Sequence, residues 1–214
     1  AAVYAPALAD APVADALTVF SRGAESHAAA LPFSALQAAN ETPAVQAAFD
    51  AITPDTHAKY LLTSGSTGHP KVVINTQRML CANLQMLRQS FAFMADEPPV
   101  LIDWLPWNHT FGGNHNIGIA LYNGGTLYID DGKPTPKGMA ATLRNLREIA
   151  PTMYFNVPKG FEEIARAMDG DEALRKSLFS RVKAFMFAGA GLSQAVWDHL
   201  DRHAEAAVGE RICM

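Results

Sequence analysis

Four hydroxyl side chains, two glycines and a lysine crowd into one short run: Thr63, Ser64, Gly65, Ser66, Thr67, Gly68 and Lys71. Glycine permits positive φ and leaves the backbone bare, so successive N–H groups can converge on an anionic oxygen. The hydroxyls add rotatable donors and the ammonium adds a point positive charge. The combination is a cradle for phosphate. It follows the apolar run Tyr60, Leu61, Leu62, which reads as a strand leading into the loop.

A P-loop needs Ser or Thr directly after its lysine to reach magnesium. Here Pro70 precedes Lys71 and Val72 follows it, so that pattern fails. A second cluster occupies 101–116, where the run Leu101, Ile102, Asp103 is followed by Trp104, Pro106, Trp107, Asn108, His109, Phe111, Gly112, Asn114 and His115. A strand that stops at a proline and opens into aromatic, amide and imidazole groups is suited to holding a ligand. His109 and His115 have no cysteine or carboxylate beside them, so no metal site is expected there. His115 reads as a hydrogen-bonded helix residue, and Trp104 and Trp107 read as core. A third feature is the apolar run 182–188 passing into Gly189, Ala190, Gly191 and Ser193, a small-residue turn against which a planar group can lie.

These features need a scaffold. Strands are expected at 16–20, 59–63, 72–75, 100–104, 126–129, 152–155 and 182–188. Thr76 caps a helix with Leu80, Leu84, Leu87 and Phe91 on one face. Thr42 with Pro43 starts another, and Ser193 caps a third that carries Val196, Leu200, His203 and Ala207 and ends before Gly209. Such alternation predicts an α/β fold, a mostly parallel sheet with helices on both faces. Ligands in such sheets sit beyond the carboxyl ends of strands. The Ala-rich opening, 1–51, carries no Gly/Ser linker and is taken with the rest as one domain over 1–214.

The spelling Thr-Ser-Gly-Ser-Thr-Gly-His-Pro-Lys at 63–71 closely resembles the signature loop of the adenylate-forming superfamily. Its members include acyl-CoA and aryl-CoA synthetases, luciferases of the firefly type and peptide-synthetase adenylation domains, and they activate carboxylic acids with ATP. The resemblance implies that Thr63, Ser64, Gly65, Ser66, Thr67, Gly68 and Lys71 hold phosphates. It implies that His109, in Pro106-Trp-Asn-His109, borders the acyl pocket and gates coenzyme A entry. By the same resemblance Phe111 and Gly112 line that pocket, and Gly189, Ala190 and Gly191 lie between the adenine and acyl sites. The string from Asp103 to His115, with 121–130 behind it, looks closer to feruloyl-CoA synthetases than to fatty acyl-CoA ligases in general. No acidic residue occurs in 107–116 to hold an amino acid's ammonium. A hydroxycinnamic acid is therefore the expected substrate, with medium-chain aliphatic acids open because apolar pockets discriminate shape weakly.

The superfamily's glutamate for Mg2+, its ribose-binding aspartate, its hinge and the lysine of its small C-terminal lid domain have no placeable counterpart in these residues. The resemblance thus implies a central fragment of the large N-terminal domain, inactive alone, whose magnesium ligand lies beyond residue 214.

Net charge is −4, charged residues are 18% and hydrophobic ones 49%. No dense basic run supports a nucleic-acid or anionic-membrane surface, and no apolar run approaches a membrane span. Cys81 and Cys213 form no CxxC pair, and no secretory signal is legible, so a reducing cytoplasm is expected. Self-association through uncovered apolar faces is a further expectation.

Overall fold

The period-two pattern of the apolar runs decides which side of the sheet each residue serves. The chain is described by a computed structural model at residues 20–21, 31–63 and 71–214; of the first expected strand only Phe20 lies among them, and 64–70 of the phosphate loop lie outside. Two compact units emerge, 1–52 and 53–214. In the first, β1 (Phe20–Ser21) pairs in parallel with β2 (Leu31–Pro32), followed by α1 (Phe33–Gln37) and α2 (Pro43–Asp50). Thr42 occupies the N-cap position ahead of Pro43, but its side chain makes no capping bond.

The second unit starts with a hairpin, β3 (His57–Thr63) antiparallel to β4 (Lys71–Thr76). Next come α3 (Gln77–Ser90), a 3-10 turn (Ala92–Ala95) and β5 (Val100–Asp103). A π-helical turn (Phe111–Asn116) runs into α4 (Ile117–Tyr122), then β6 (Thr126–Ile129) and α5 (Pro136–Glu148). The chain continues through β7 (Met153–Asn156), α6 (Pro158–Met168), α7 (Glu172–Phe179), β8 (Ala184–Phe187) and α8 (Gln194–Val208). Caps explain several starts: Thr76, Thr135, Asp171 and Ser193 each accept a backbone N–H of the first turn, and Gly209 ends α8 at φ 79°.

β5 pairs in parallel with β6, and β7 with β8. Thr152 joins the two pairs. Its N–H donates to Val100 O, its Oγ1 accepts from Val100 N–H, and its carbonyl accepts from Lys183 N–H. Cys213 adds a parallel bridge beside Ala184. The strand order is thus β6, β5, β7, β8, with Cys213 at the edge.

Alternate residues serve opposite faces. Leu101, Met153, Phe155 and Ala184 pack with Phe111, Ile119 and Met94, while α3 lends Leu84 and Leu87. Ile102, Tyr154 and Phe185 pack instead with Leu146, Phe161, Ile164, Leu178 and Leu200 of α5 to α8. Each fully buried large side chain contributes about 1.5–3 kcal/mol. The connection after β5 covers the first face and those after β6 and β7 the second, so the loops leaving β5 and β7 diverge. That divergence is a topological switch point, where open α/β sheets form a crevice at the strands' carboxyl ends.

The hairpin is different. In its register Tyr60 faces Ile74 and Leu62 faces Val72, and all four side chains are exposed. Such cross-strand apolar pairs on one open face form a patch that a partner would cover. We expect the chain to self-associate with concentration in light scattering, and Leu62→Glu to return it to monomer; a monodisperse wild-type monomer would contradict this.

Candidate active site

Thr63 and Lys71 stand opposite each other at the end of the hairpin, and Thr63 Oγ1 donates to Lys71 O at 3.4 Å. The hydroxyl- and glycine-rich segment is therefore the hairpin's connection, its two ends held by an antiparallel pair rather than by a strand and a helix. Ser64, Gly65, Ser66, Thr67 and Gly68 lie outside the described residues.

The hairpin is tied to the second cluster by two side chains. Lys59 Nζ donates to the Gly113 carbonyl at 2.9 Å, and Asn114 Nδ2 donates to Asn75 Oδ1 at 2.8 Å. Neither Lys59 nor Asn75 was marked by motif reasoning, since a lysine within a strand reads as an exposed charge. Its only sequence signal was position, on the strand that feeds the phosphate loop.

The receiving element is the π turn, a rare geometry that gathers at functional sites. Its glycines have a steric reason. A Cβ on Gly113 would lie 2.0 Å from Trp107 O, and one on Gly112 would lie 2.7 Å from both Leu105 O and Pro106 O. Gly112, expected at the pocket wall, is thus buried against the backbone that leaves β5. His109 is exposed. Its Nδ1 accepts from Phe111 N–H at 3.2 Å, which assigns the ring proton to Nε2. Phe111 is buried in the first-face core, edge-on to Phe155 at 6.3 Å and to His115 at 5.5 Å. His115 is indeed a hydrogen-bonded helix residue, Nδ1 lying 2.8 Å from Asn116 Oδ1. Trp104 packs against the core, whereas Trp107 is exposed and departs from the core reading because the chain has already left the sheet at Pro106.

Polar groups are buried behind this loop. Asp103 Oδ1 accepts from Leu105 N–H at 3.1 Å, and burial pushes its carboxyl up from 3.8 to about 6, with the nearby Asp130 charge adding to the rise. Asn116 opposes the rise, yet neither Asp103 Oδ2 nor Asn116 Nδ2 completes a hydrogen bond of good geometry. Burial also lowers the His115 imidazole below its ordinary value. By contrast Asp130 is satisfied, accepting from Thr142 Oγ1 at 2.5 Å and Asn145 Nδ2 at 2.9 Å, which pins α5 to the end of β6.

Gly189, Ala190 and Gly191 lie exposed at the carboxyl end of β8. Gly189 has φ 94°, a conformation that disfavours any side chain. At the neighbouring strand end, Asn156 is fully buried, donating to Tyr154 Oη and accepting from Val157 N–H. It shapes the edge rather than facing it.

A parallel α/β sheet with a switch point, and a hairpin whose strands are tied to a π turn with an exposed histidine at its head, define an α/β protein with a candidate ligand crevice at its strand ends. The chain belongs to the AMP-binding enzyme family, whose profile matches residues 4–210. It is 41% identical over 76 residues to the medium-chain-fatty-acid–[acyl-carrier-protein] ligase TtuA of Teredinibacter turnerae, covering 36% of this chain and 12% of that protein. It is 24% identical over 145 residues to the 3-hydroxybenzoate–CoA/4-hydroxybenzoate–CoA ligase of Thauera aromatica, 68% of this chain and 26% of that one. A solved malonyl-CoA ligase, in a ternary product complex with methylmalonyl-CoA and AMP, aligns at TM-score 0.63 and 26% identity over 76% of this chain and 33% of that chain. The chain spans about an eighth to a quarter of the two curated relatives. No helix among the described residues is long and apolar enough to cross a membrane.

The raised Asp103 pKa has a stability consequence. Below the ordinary carboxylate value both folded and unfolded chains hold the proton. As pH rises from about 4 to about 6 the unfolded chain loses its proton first, so the folded state loses roughly 3 kcal/mol. Asp103→Asn keeps the acceptor for Leu105 and cannot titrate. Its stability relative to wild type, from urea unfolding, should therefore rise by about that amount between pH 4 and pH 7; a difference independent of pH would contradict the burial argument.

Proposed function

We propose that this chain is the central part of the large domain of an ATP-dependent acid–CoA ligase. The carrying observation is the loop 63–71, whose ends Thr63 and Lys71 are paired at the hairpin tip in a chain of the AMP-binding enzyme family. On this reading Thr63, Ser64, Gly65, Ser66, Thr67, Gly68 and Lys71 hold the β- and γ-phosphates of ATP. Hydroxyl and backbone donors with one ammonium suit that role, because developing negative charge is stabilised by preorganised donors. The acid's carboxylate attacks the α-phosphate, giving an acyl-adenylate and pyrophosphate. The thiol of coenzyme A then displaces AMP.

His109 is the gate to the acyl site, supported by its exposure at the head of the π turn. Phe111 and Gly112 set the acyl wall's position from behind, and Gly189, Ala190 and Gly191 offer bare backbone to the adenine and acyl groups. Mg2+ arrives with the nucleotide. The resemblance to the adenylate-forming superfamily assigns its protein ligand to a glutamate beyond residue 214. The step then needs parts this chain does not supply, and we propose that the isolated chain does not turn over. The cytoplasm, where ATP and coenzyme A are abundant and thiols stay reduced, is the proposed location.

For the acid we propose a hydroxycinnamate such as ferulate, a flat acid suited to a rigid wall, here backed by the aromatic cluster of the buried Phe111 and Phe155 with His115. The second reading is a medium-chain aliphatic acid, favoured by the relationship to the Teredinibacter ligase. A non-catalytic acyl-nucleotide binding module is the reading of a different class. Acid-dependent ATP–pyrophosphate exchange by the complete protein separates them. Exchange with hydroxycinnamates supports the first reading, exchange with C6–C12 acids the second, and none with any acid the module. Lys71→Ala in that protein should lower exchange by about 10²-fold, the scale for losing one transition-state donor, without changing its circular dichroism; unchanged exchange would remove Lys71 from the site.

A further inference from the structure

His199 and His203 lie one turn apart on α8, which puts both imidazoles on one face of the helix. Their rings stack with centroids 4.8 Å apart. Asp169, at the carboxyl end of α6, reaches the same point: its Oδ1 is 2.6 Å from His199 Nε2 and 3.3 Å from His203 Nε2. The three donor atoms all lie within 4.8 Å of one another. None of these residues belongs to the phosphate hairpin or to the His109 segment.

We propose that Asp169, His199 and His203 bind a divalent transition ion of the zinc class. Two imidazole nitrogens and one carboxylate oxygen form a donor set that zinc accepts and that magnesium and calcium, which take oxygen ligands, do not favour. Three protein ligands leave a fourth tetrahedral position for water, and the site opens into a surface depression bordered by Glu162, Arg166 and Ser193. The Arg166 guanidinium is itself held by Glu162 at 2.7 Å and Glu163 at 3.3 Å, so its charge is offset. His203 Nε2 also lies 3.1 Å from Ala165 O. Coordination therefore requires His203 to give up that contact and carry its proton on Nδ1, while the ion takes the place of the protons now shared with Asp169.

The site is two-helix by construction, joining α6 to α8, so occupancy should stabilise the fold by mass action. Exposure differs among the three side chains: Asp169 is 58% exposed, His199 25% and His203 9%. His199 and Asp169 are therefore the positions to change without disturbing the core.

The test titrates the 214-residue chain with Co2+, read by visible ligand-field absorption, and with Zn2+, read by calorimetry. Expected is one saturable equivalent, displacement of Co2+ by Zn2+ and a Zn2+-dependent rise in melting temperature. His199→Gln and Asp169→Ala should each weaken binding by at least about 10-fold, the loss that even an outer partner of a ligand causes, with unchanged circular dichroism. The double variant Cys81→Ser, Cys213→Ser should bind as wild type. Absence of saturable binding, unaltered affinity in both His199→Gln and Asp169→Ala, or loss of binding in the cysteine variant would overturn the proposal.

Discussion

The bond from the Lys59 ammonium to the Gly113 carbonyl holds two architectures together. On one side is an antiparallel hairpin that presents the phosphate-type loop; on the other is a parallel sheet whose strand β5 launches the histidine segment. A charge-assisted hydrogen bond of this kind contributes about 1.5–3 kcal/mol, and its neighbour, Asn114 to Asn75, fixes the angle that one bond alone would leave free. The Gly113 carbonyl accepts this bond from within the π turn, and the turn can lie against Trp107 only because Gly113 has no Cβ. Glycine, turn, carbonyl and lysine thus form one chain of cause.

The cost of that arrangement is visible directly behind it. Asp103 Oδ2, Trp104 Nε1, Asn114 Oδ1, His115 Nε2 and Asn116 Nδ2 are buried without protein partners, and each such group costs about 1–3 kcal/mol. The second-face core shows the opposite economy. Leu146, Ile164, Leu174 and Leu178 are fully buried, and the polar Asp130 beside them is satisfied by Thr142 and Asn145. Stability is concentrated under α5 to α8 and given up around the loop after β5, as expected where a site is built on a rigid support.

Much of the scaffold was legible because its signals are local. The runs at 100–104, 126–129 and 152–155 are apolar and β-rich, and their strands formed within a residue or so. Thr76 and Ser193 capped their helices as read, and Leu200 and His203 took the buried face of α8. Thr135 and Pro136 carried the same start signal as Thr42 and Pro43, yet α5 went unmarked, as did α6 and α7. The π turn was hidden because a Gly-Gly pair reads as a loop; only the close passage of Trp107 explains it. The Lys59 and Asn75 contacts were invisible because they pair residues far apart in sequence. The metal-type triad is hidden for the same reason: His203 reads as one position of a helix face, His199 and Asp169 belong to no motif, and only His109 and His115 stand out as candidate ligands.

Lys59 couples the β3–β4 hairpin to the π turn. Amide hydrogen exchange on wild type and Lys59→Met, followed peptide by peptide, tests it directly. The account predicts lost protection in both β3–β4 and the 111–116 turn, with α5 to α8 unchanged. Equal protection in the two proteins at both elements would show that they are held by packing alone, and the coupling would have to be abandoned.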